Sequence, residues 1–306
     1  MKILITGGAG YVGYSVVRHL LKSFNPVSEI VVYDNLDRKN YAFFTHEKFS
    51  AKFVHFIQGD LLDSRKLRQA LKDADVVFHL AGKVLTPFAD NMAHAYDQIN
   101  HWGTAHLAEA IEESRVQTVV NVSSVSVYGA TGEPANEETP PHPQSFYGTS
   151  KLAGEKHLSR LASPTRRVFT LRSGNVYGYN PCMRFDAVIN RFMFEANFSR
   201  RITIDGSGEQ TRAFIHVDKL AEVMKGLLNS EAPSGTYNVV EHNLSIKEVV
   251  EAVRNIYPEL ETISVNFDMI MRSIAIQTPC KIFDYVPVTA RNLLDELNDF
   301  KLNFAF

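Results

Sequence analysis

One stretch, Met1-Lys2-Ile3-Leu4-Ile5-Thr6-Gly7-Gly8-Ala9-Gly10-Tyr11-Val12-Gly13, constrains the fold of this chain more than any other. Ile3 to Ile5 is an apolar run of the length of one buried strand. It breaks at a glycine cluster, after which Val12, Val16, Val17, Leu20 and Leu21 recur at helical spacing. The pattern is a strand, a tight turn and a helix N-terminus. Gly7, Gly10 and Gly13 stand three apart, a G-x-x-G-x-x-G variant of the dinucleotide fingerprint. Without Cβ atoms the turn can close, the backbone can approach a pyrophosphate, and helix and strand can pack tightly. Free N–H groups at the helix start, from Tyr11 and Val12 onward, then face the phosphates. Val31-Val32-Tyr33-Asp34 reads as a second strand ending in an acid about 20 residues past the glycines, the place from which a carboxylate holds ribose hydroxyls. Asp34 and its neighbour Asn35 could also serve only a turn. An acid there repels a 2′-phosphate, so the expected cofactor is NAD, although Arg38 and Lys39 leave a case for NADP.

The totals matter chiefly for what they exclude. A net charge of −2 gives no electrostatic footprint for nucleic acid. No apolar run approaches the roughly 20 residues of a membrane helix. The first residues already read as a strand, so no secretory leader is expected. Cys182 and Cys280 lie far apart with no metal-like spacing, so no metal is expected and a reducing cytoplasm is the simplest setting.

Strands are expected at 53–57, 76–80, 116–124 and 168–172, with helices near 90–114 and 147–161. Alternating strands and helices argue for an α/β fold, a Rossmann-type doubly wound parallel sheet with right-handed crossovers. After about residue 175 the alternation lapses. Helices are expected near 186–197, 218–229, 246–257 and 289–298, with strand-like runs at 202–204 and 235–240. We read 1–174 as the dinucleotide-binding domain and 175–306 as a smaller, partly interleaved α/β substrate lobe. Ser245 and Glu248 have the spacing of a capping box. Asp60 could touch an adenine edge, whereas Asp63 could simply cap the next helix.

The chemistry-bearing residues follow strand 116–124, which ends in Ser123-Ser124. Tyr147 and Lys151 are four apart, hence on one helix face. A phenol of ordinary pKa about 10 is a poor base at neutral pH. An ammonium one turn away, with a positive nicotinamide near, is expected to lower it. Ser124 can orient the substrate oxygen, while Ser123 alternates to the other face of the strand. This constellation suits taking a proton from an alcohol while hydride leaves its carbon.

Taken together, these pieces resemble the extended short-chain dehydrogenases/reductases of the NAD-dependent epimerase/dehydratase family over roughly residues 1–240. The resemblance rests on the glycine turn, Asp34-Asn35, Gly59-Asp60-Leu61, Leu80-Ala81-Gly82, Asn100, Ser123-Ser124 with Val127-Tyr128-Gly129, Tyr147 to Lys151, and Leu171-Arg172 with Asn175-Val176-Tyr177-Gly178. It implies that Asp60 and Leu61 contact adenine, that Leu80, Ala81, Gly82, Lys83 and Asn100 line the cofactor, and that Asn175 touches a sugar-nucleotide phosphate. Gly206 to Asp218 resembles the family's substrate-lobe motif, in which Arg212 would clasp the diphosphate. Arg212 could instead pair with Asp218 or Glu209. Arg272 is the candidate second phosphate arginine, in surroundings that depart from the family pattern. His216 is read as packing and hydrogen-bonding.

Family members that dehydrate or decarboxylate resemble one another in an acid just before the Val-Tyr-Gly turn. This chain has Val125 and Ser126 there. The expected reaction is therefore epimerisation, at C4 of a nucleotide-diphospho-sugar, with a UDP-hexose as substrate and a 4-keto intermediate. The alternatives are an NAD(P)H-dependent reductase and a non-catalytic NAD-binding regulator. Family dimers resemble one another in joining through the helices corresponding to 90–114 and 147–161, so a homodimer is expected.

Overall fold

The computed structural model describes residues 1–22, 28–84, 92–265, 273–289 and 291–304. Its centre is a seven-stranded sheet of β1 (Lys2–Thr6), β2 (Glu29–Asp34), β3 (Val54–Gln58), β4 (Val76–His79), β5 (Thr118–Ser124), β6 (Arg167–Ser173) and a strand from far downstream, Gly235–Val239. Every pairing in it is parallel. Parallel strands covered on both faces read as continuous apolar runs, and Ile3, Leu4 and Ile5 are fully buried. Alternation still sorts them. Leu4, Val31 and Val77 face one helical layer, while Ile3, Ile5 and Phe78 face the other.

Helices of eight or more residues are numbered α1 (Tyr11–Leu21), α2 (Ser64–Leu71), α3 (Thr104–Glu112), α4 (Phe146–Ser159), α5 (Val188–Ser199), α6 (Val217–Gly226), α7 (Ile246–Ile256) and α8 (Leu293–Leu302). The Leu4 face packs against Leu67 and Leu71 of α2 and Leu107 and Ile111 of α3. The opposite face packs against Val16 and Val17 of α1 and Leu220 and Val223 of α6. Asp63 caps α2 by accepting from Lys66 N at 3.0 Å, and Ser245 with Glu248 forms the expected capping box of α7.

The remaining strands build the second lobe. They are β7 (Asn175–Tyr177), β8 (Arg201–Asp205), β9 (Thr211–His216), the sheet strand β10 (Gly235–Val239), β11 (His242–Ser245) and β12 (Glu261–Val265). A mixed sheet β11-β9-β7 and a pair β12-β8 pack with α5, α7 and α8 around Phe192, Met193, Val249, Val253 and Phe300. The strand read with the smaller lobe, 235–239, instead completes the large sheet beside β6, with Gly235 opposite Phe169 and Val239 opposite Ser173. The chain thus crosses to the second lobe after β6, returns for α6 and β10, and crosses again.

Sheet order is β10-β6-β5-β4-β1-β2-β3. The order reverses between β1 and β4, the switch point where such sheets open a crevice beyond their carboxyl ends. The expected helix near 90–114 is interrupted: Asp97–Gly103 winds as a π-helix before α3 begins. Its expected start at about residue 90 lies outside the described residues.

Candidate active site

A cleft of about 1270 Å³ lies at that switch point, lined from both lobes. At one end the glycine turn sits on β4. Gly7 has φ +69°, and a Cβ there would lie 2.5 Å from Ala81 N. A Cβ at Gly13 would lie 2.4 Å from Gly8 O, so helix and turn touch backbone to backbone. Gly10 is the N-cap of α1, so the helix N-terminus opens onto the cleft beside Tyr11 and Val12. The Tyr11 ring points away, and its hydroxyl donates to Gly178 O, pinning the turn to the second lobe.

Asp34 ends β2 beside this turn. One carboxylate oxygen accepts from Ala9 N at 3.1 Å and the other from Leu36 N at 2.8 Å. Burial raises its pKa on balance, and the two amides pull the other way. Asn35 donates to Asp60 at 2.9 Å, joining the two acids expected at the adenosine end. Leu61, Leu80, Ala81, Gly82 and Lys83 line the cleft. Lys83 Nζ reaches Asp37 at 2.7 Å. Asn100 is buried in the π-helix and clamps Lys83: its Oδ1 accepts from Lys83 N at 2.7 Å and its Nδ2 donates to Lys83 O at 2.9 Å. A π-turn at a functional site is a recurring device. A helix N-terminus over a glycine turn that admits no side chain, with a carboxylate at the second strand end, fits a dinucleotide with unmodified ribose.

The other end carries the proton chemistry. Ser145 caps α4 by accepting from Gly148 N at 3.0 Å, which places Tyr147 in the first helical turn. Ser124 ends β5, hydrogen-bonds the Tyr147 side chain, and donates to Ser126 Oγ at 3.1 Å. Ser123 turns to the opposite side and donates to Glu155 at 2.5 Å. Lys151 donates to Val122 O at 2.7 Å from the cleft floor.

One electrostatic expectation needs correction. The Tyr147 pKa is raised, not lowered. Burial dominates; the Ser124 hydrogen bond and the charge of Arg184 oppose it. The ammonium of Lys151 is spent on the Val122 carbonyl, and its own pKa is pulled down to about 8 by burial, with Glu155 opposing. Four-residue spacing puts both side chains on one face but does not aim one head group at the other.

Arg184 was not singled out from the sequence. Its Nε and Nη2 grip Asp186 at 3.0 and 2.6 Å, and it stands close enough to Tyr147 to act on the phenol's charge. The run Met183-Arg184-Phe185-Asp186 has no periodicity or motif that would have marked it. Burial alone would raise the Asp186 pKa, but the hydrogen bond and charge of Arg184, with the charge of Arg38, together outweigh it and hold the carboxyl below its usual range.

On the second lobe Asn175 donates to Ala213 O at 3.0 Å, and Arg212 lies half-buried along the cleft wall with its Nη1 on Thr211 O at 3.0 Å. Of the acids that could have paired with Arg212, Glu209 pairs with Lys247 and Asp218 lies 3.9 Å from His19. Arg272 lies outside the described residues. His216 caps α6, accepting from Asp218 N at 3.3 Å, and packs edge-on against Tyr177. Among the described residues one group, Glu241, His242 and Glu296, has metal-like spacing. Lys219 already bridges Glu241 and Glu296, so an ammonium stands where a cation would bind. No helix among the described residues is long and apolar enough to cross a membrane.

Comparisons with known proteins place the chain in one family. The profile of the NAD dependent epimerase/dehydratase family matches residues 3–240. Human dTDP-D-glucose 4,6-dehydratase is 30% identical over 272 residues, 85% of this chain and 76% of the relative. The structure of MoeE5 in complex with UDP-glucose and NAD superposes with TM-score 0.82 at 27% identity, covering 99% of this chain and 98% of that one. UDP-glucuronic acid 4-epimerase from Bacillus cereus, solved with UDP-glucuronic acid and NAD, gives 0.86 at 25% identity and 98% coverage of each chain.

Proposed function

The chain belongs to the NAD-dependent epimerase/dehydratase family, and from that premise we propose that it epimerises a UDP-hexose, or a close nucleotide-diphospho-sugar, at C4 through a transient 4-keto sugar. Bound NAD, held by the glycine turn, Asp34, Asn100 and the β4 end, would supply a hydride acceptor and donor beside the sugar carbon. Tyr147 takes the C4 hydroxyl proton and later returns it. Ser124 shares that proton and holds the oxygen through both half-reactions. Because burial raises the Tyr147 pKa, the phenol needs positive charge gathered around it to act as a base. Arg212 and Asn175 hold the diphosphate.

One observation carries epimerisation over dehydration. Elimination needs an extra proton donor at the catalytic end. Val125 is buried and Ser126 is occupied with Ser124. Against burial, Arg184 and Arg38 hold the pKa of Asp186, a cleft carboxyl beside Arg184, below the usual range. Asp205 pairs with Arg191 at 3.5 Å. Val125 and Ser126 thus supply no carboxyl group where elimination would need one.

Arg184 favours a particular sugar. A braced guanidinium next to the proton-transfer site suits a carboxylate at C6, two bonds from C4. The 4-keto form of such a uronate is a β-keto acid, prone to lose CO₂. Pairing its carboxylate with an arginine stabilises the anion against that loss. MoeE5 is also solved with UDP-glucuronic acid, and the Bacillus cereus 4-epimerase with the same compound. We therefore favour a UDP-hexuronate over a neutral UDP-hexose. The test is a substrate panel with NAD. UDP-glucuronate should be turned over to its C4 epimer, Arg184→Gln should lower kcat/KM for it by about 100-fold, and Tyr147→Phe should abolish turnover while NAD still binds. Full activity of Tyr147→Phe would remove the assigned base. Net consumption of reduced cofactor would point to the reductase alternative.

A homodimer fits the outer face of the catalytic helices. Trp102, beside α3, and Phe146, at the start of α4, are 52% and 53% exposed, and burying two such rings against a second copy would remove a large apolar area from water.

A further inference from the structure

Arg172 and Glu155 lie outside the cleft, yet both join the catalytic helix to the sheet. Glu155 is buried on α4, four residues past Lys151 and eight past Tyr147. Residues at that spacing share one helix face. That face meets three consecutive residues of β5: Tyr147 bonds Ser124, Lys151 bonds Val122 O at 2.7 Å, and Glu155 accepts from Ser123 at 2.5 Å. From β6, Arg172 closes the arrangement with Nε on Glu155 Oε1 at 3.1 Å and Nη2 on Oε2 at 2.7 Å, both side chains 7% exposed. The Arg172 guanidinium stacks 4.9 Å above the Tyr128 ring, whose hydroxyl donates to Asn238 on β10 at 2.9 Å.

We propose that Glu155, fixed by Arg172, is a positioning residue that seats α4 on β5 so that Tyr147 meets Ser124, and that counterbalances the Lys151 ammonium beneath the cleft. The proposal rests on the proton-transfer role assigned to Tyr147, Ser124 and Lys151. Two facts support an electrostatic role beyond packing. A buried ion pair is weak evidence for stability, since apolar replacement of both partners is often neutral. Here the carboxylate, one helical turn past Lys151, also acts on the charge of that lysine. Burial drags the Lys151 pKa down, and Glu155 is what holds it up. The other titratable groups facing Lys151 give no such support. His79 on β4 is kept neutral by burial, and by Lys151 itself, at about 3, and the Tyr147 phenol is pushed up.

The deciding experiment titrates the Lys151 side chain by NMR in the whole protein, assigned with Lys151→Arg, without any sugar. Glu155→Gln keeps the size and removes the charge. Should the unpaired Arg172 prevent folding, Glu155→Gln/Arg172→Met removes that guanidinium as well. The Lys151 midpoint should fall by about one pH unit in either variant. In turnover assays the same variants should lose at least about tenfold in kcat, while KM for the nucleotide-sugar stays within about threefold, because neither residue touches the cleft. A folded variant with an unmoved Lys151 midpoint overturns the inference, whatever its activity. A shifted midpoint in a protein that turns over no sugar upholds it and sinks the proposed reaction instead.

Discussion

Lys151→Met offers a thermodynamic test of the catalytic floor. The ammonium is displaced from an ordinary 10.5 to about 8 by burial, worth about 3.4 kcal/mol at about 1.36 kcal/mol per pH unit. The direction decides the pH window. Between pH 8 and 10.5 the folded protein binds fewer protons at Lys151 than the unfolded chain does. Stability therefore rises with pH across that window, and below it the full cost of burying the charge is present. From pH 7 to pH 10 the native protein should gain about 2.5 kcal/mol relative to Lys151→Met. The bond to Val122 O is charge-assisted at pH 7 and neutral at pH 10, a difference already contained in the displaced pKa. Water entering the open cleft trims the figure, because Lys151 is only half-buried; filling the cleft with nucleotide should enlarge it. Urea unfolding of both proteins at several pH values gives the comparison. Parallel stability curves from pH 7 to 10 would refute the claim that the lysine is held charged at a cost.

Gly7→Ala should abolish NAD binding and lower stability by roughly 1–3 kcal/mol, read by calorimetry and cofactor fluorescence, because its Cβ would press on Ala81 at φ +69°. Arg212→Ala should raise KM for the nucleotide-sugar by at least about tenfold with NAD affinity unchanged; equal loss of both would place Arg212 in the fold instead of at the diphosphate. Trp102→Glu should convert a sedimenting dimer to monomer, and a dimer that survives the change would move the interface elsewhere. Asp34→Ala should weaken NAD and narrow its advantage over NADP, since the carboxylate that rejects a 2′-phosphate is gone.

Much of this molecule could be read from local chemistry. The glycine turn, Asp34 and the Tyr147–Lys151 spacing each encode a short-range geometry, and the sheet brings them to one crevice. Caps such as Asp63 and Ser245 were legible for the same reason. What stayed hidden depends on distant packing. Val239 gives no local sign that its strand pairs with β6. The π-turn that buries Asn100 carries no periodicity of its own. Arg184 sits in an irregular loop whose approach to Tyr147 is set wholly by how the second lobe folds back. The raised Tyr147 pKa reflects burial, a quantity that sequence spacing does not contain.

The central claim is that hydride leaves C4 of the sugar and returns to the same carbon. It is tested most directly by supplying UDP-glucuronate and UDP-glucose deuterated at C4, in ordinary water with NAD, and following the products by NMR. The account predicts the C4 epimer with its deuterium retained at C4, no solvent hydrogen entering the ring, and no build-up of reduced cofactor. A 4-keto-6-deoxy product, release of CO₂, or reduced nicotinamide accumulating in step with substrate loss would contradict it.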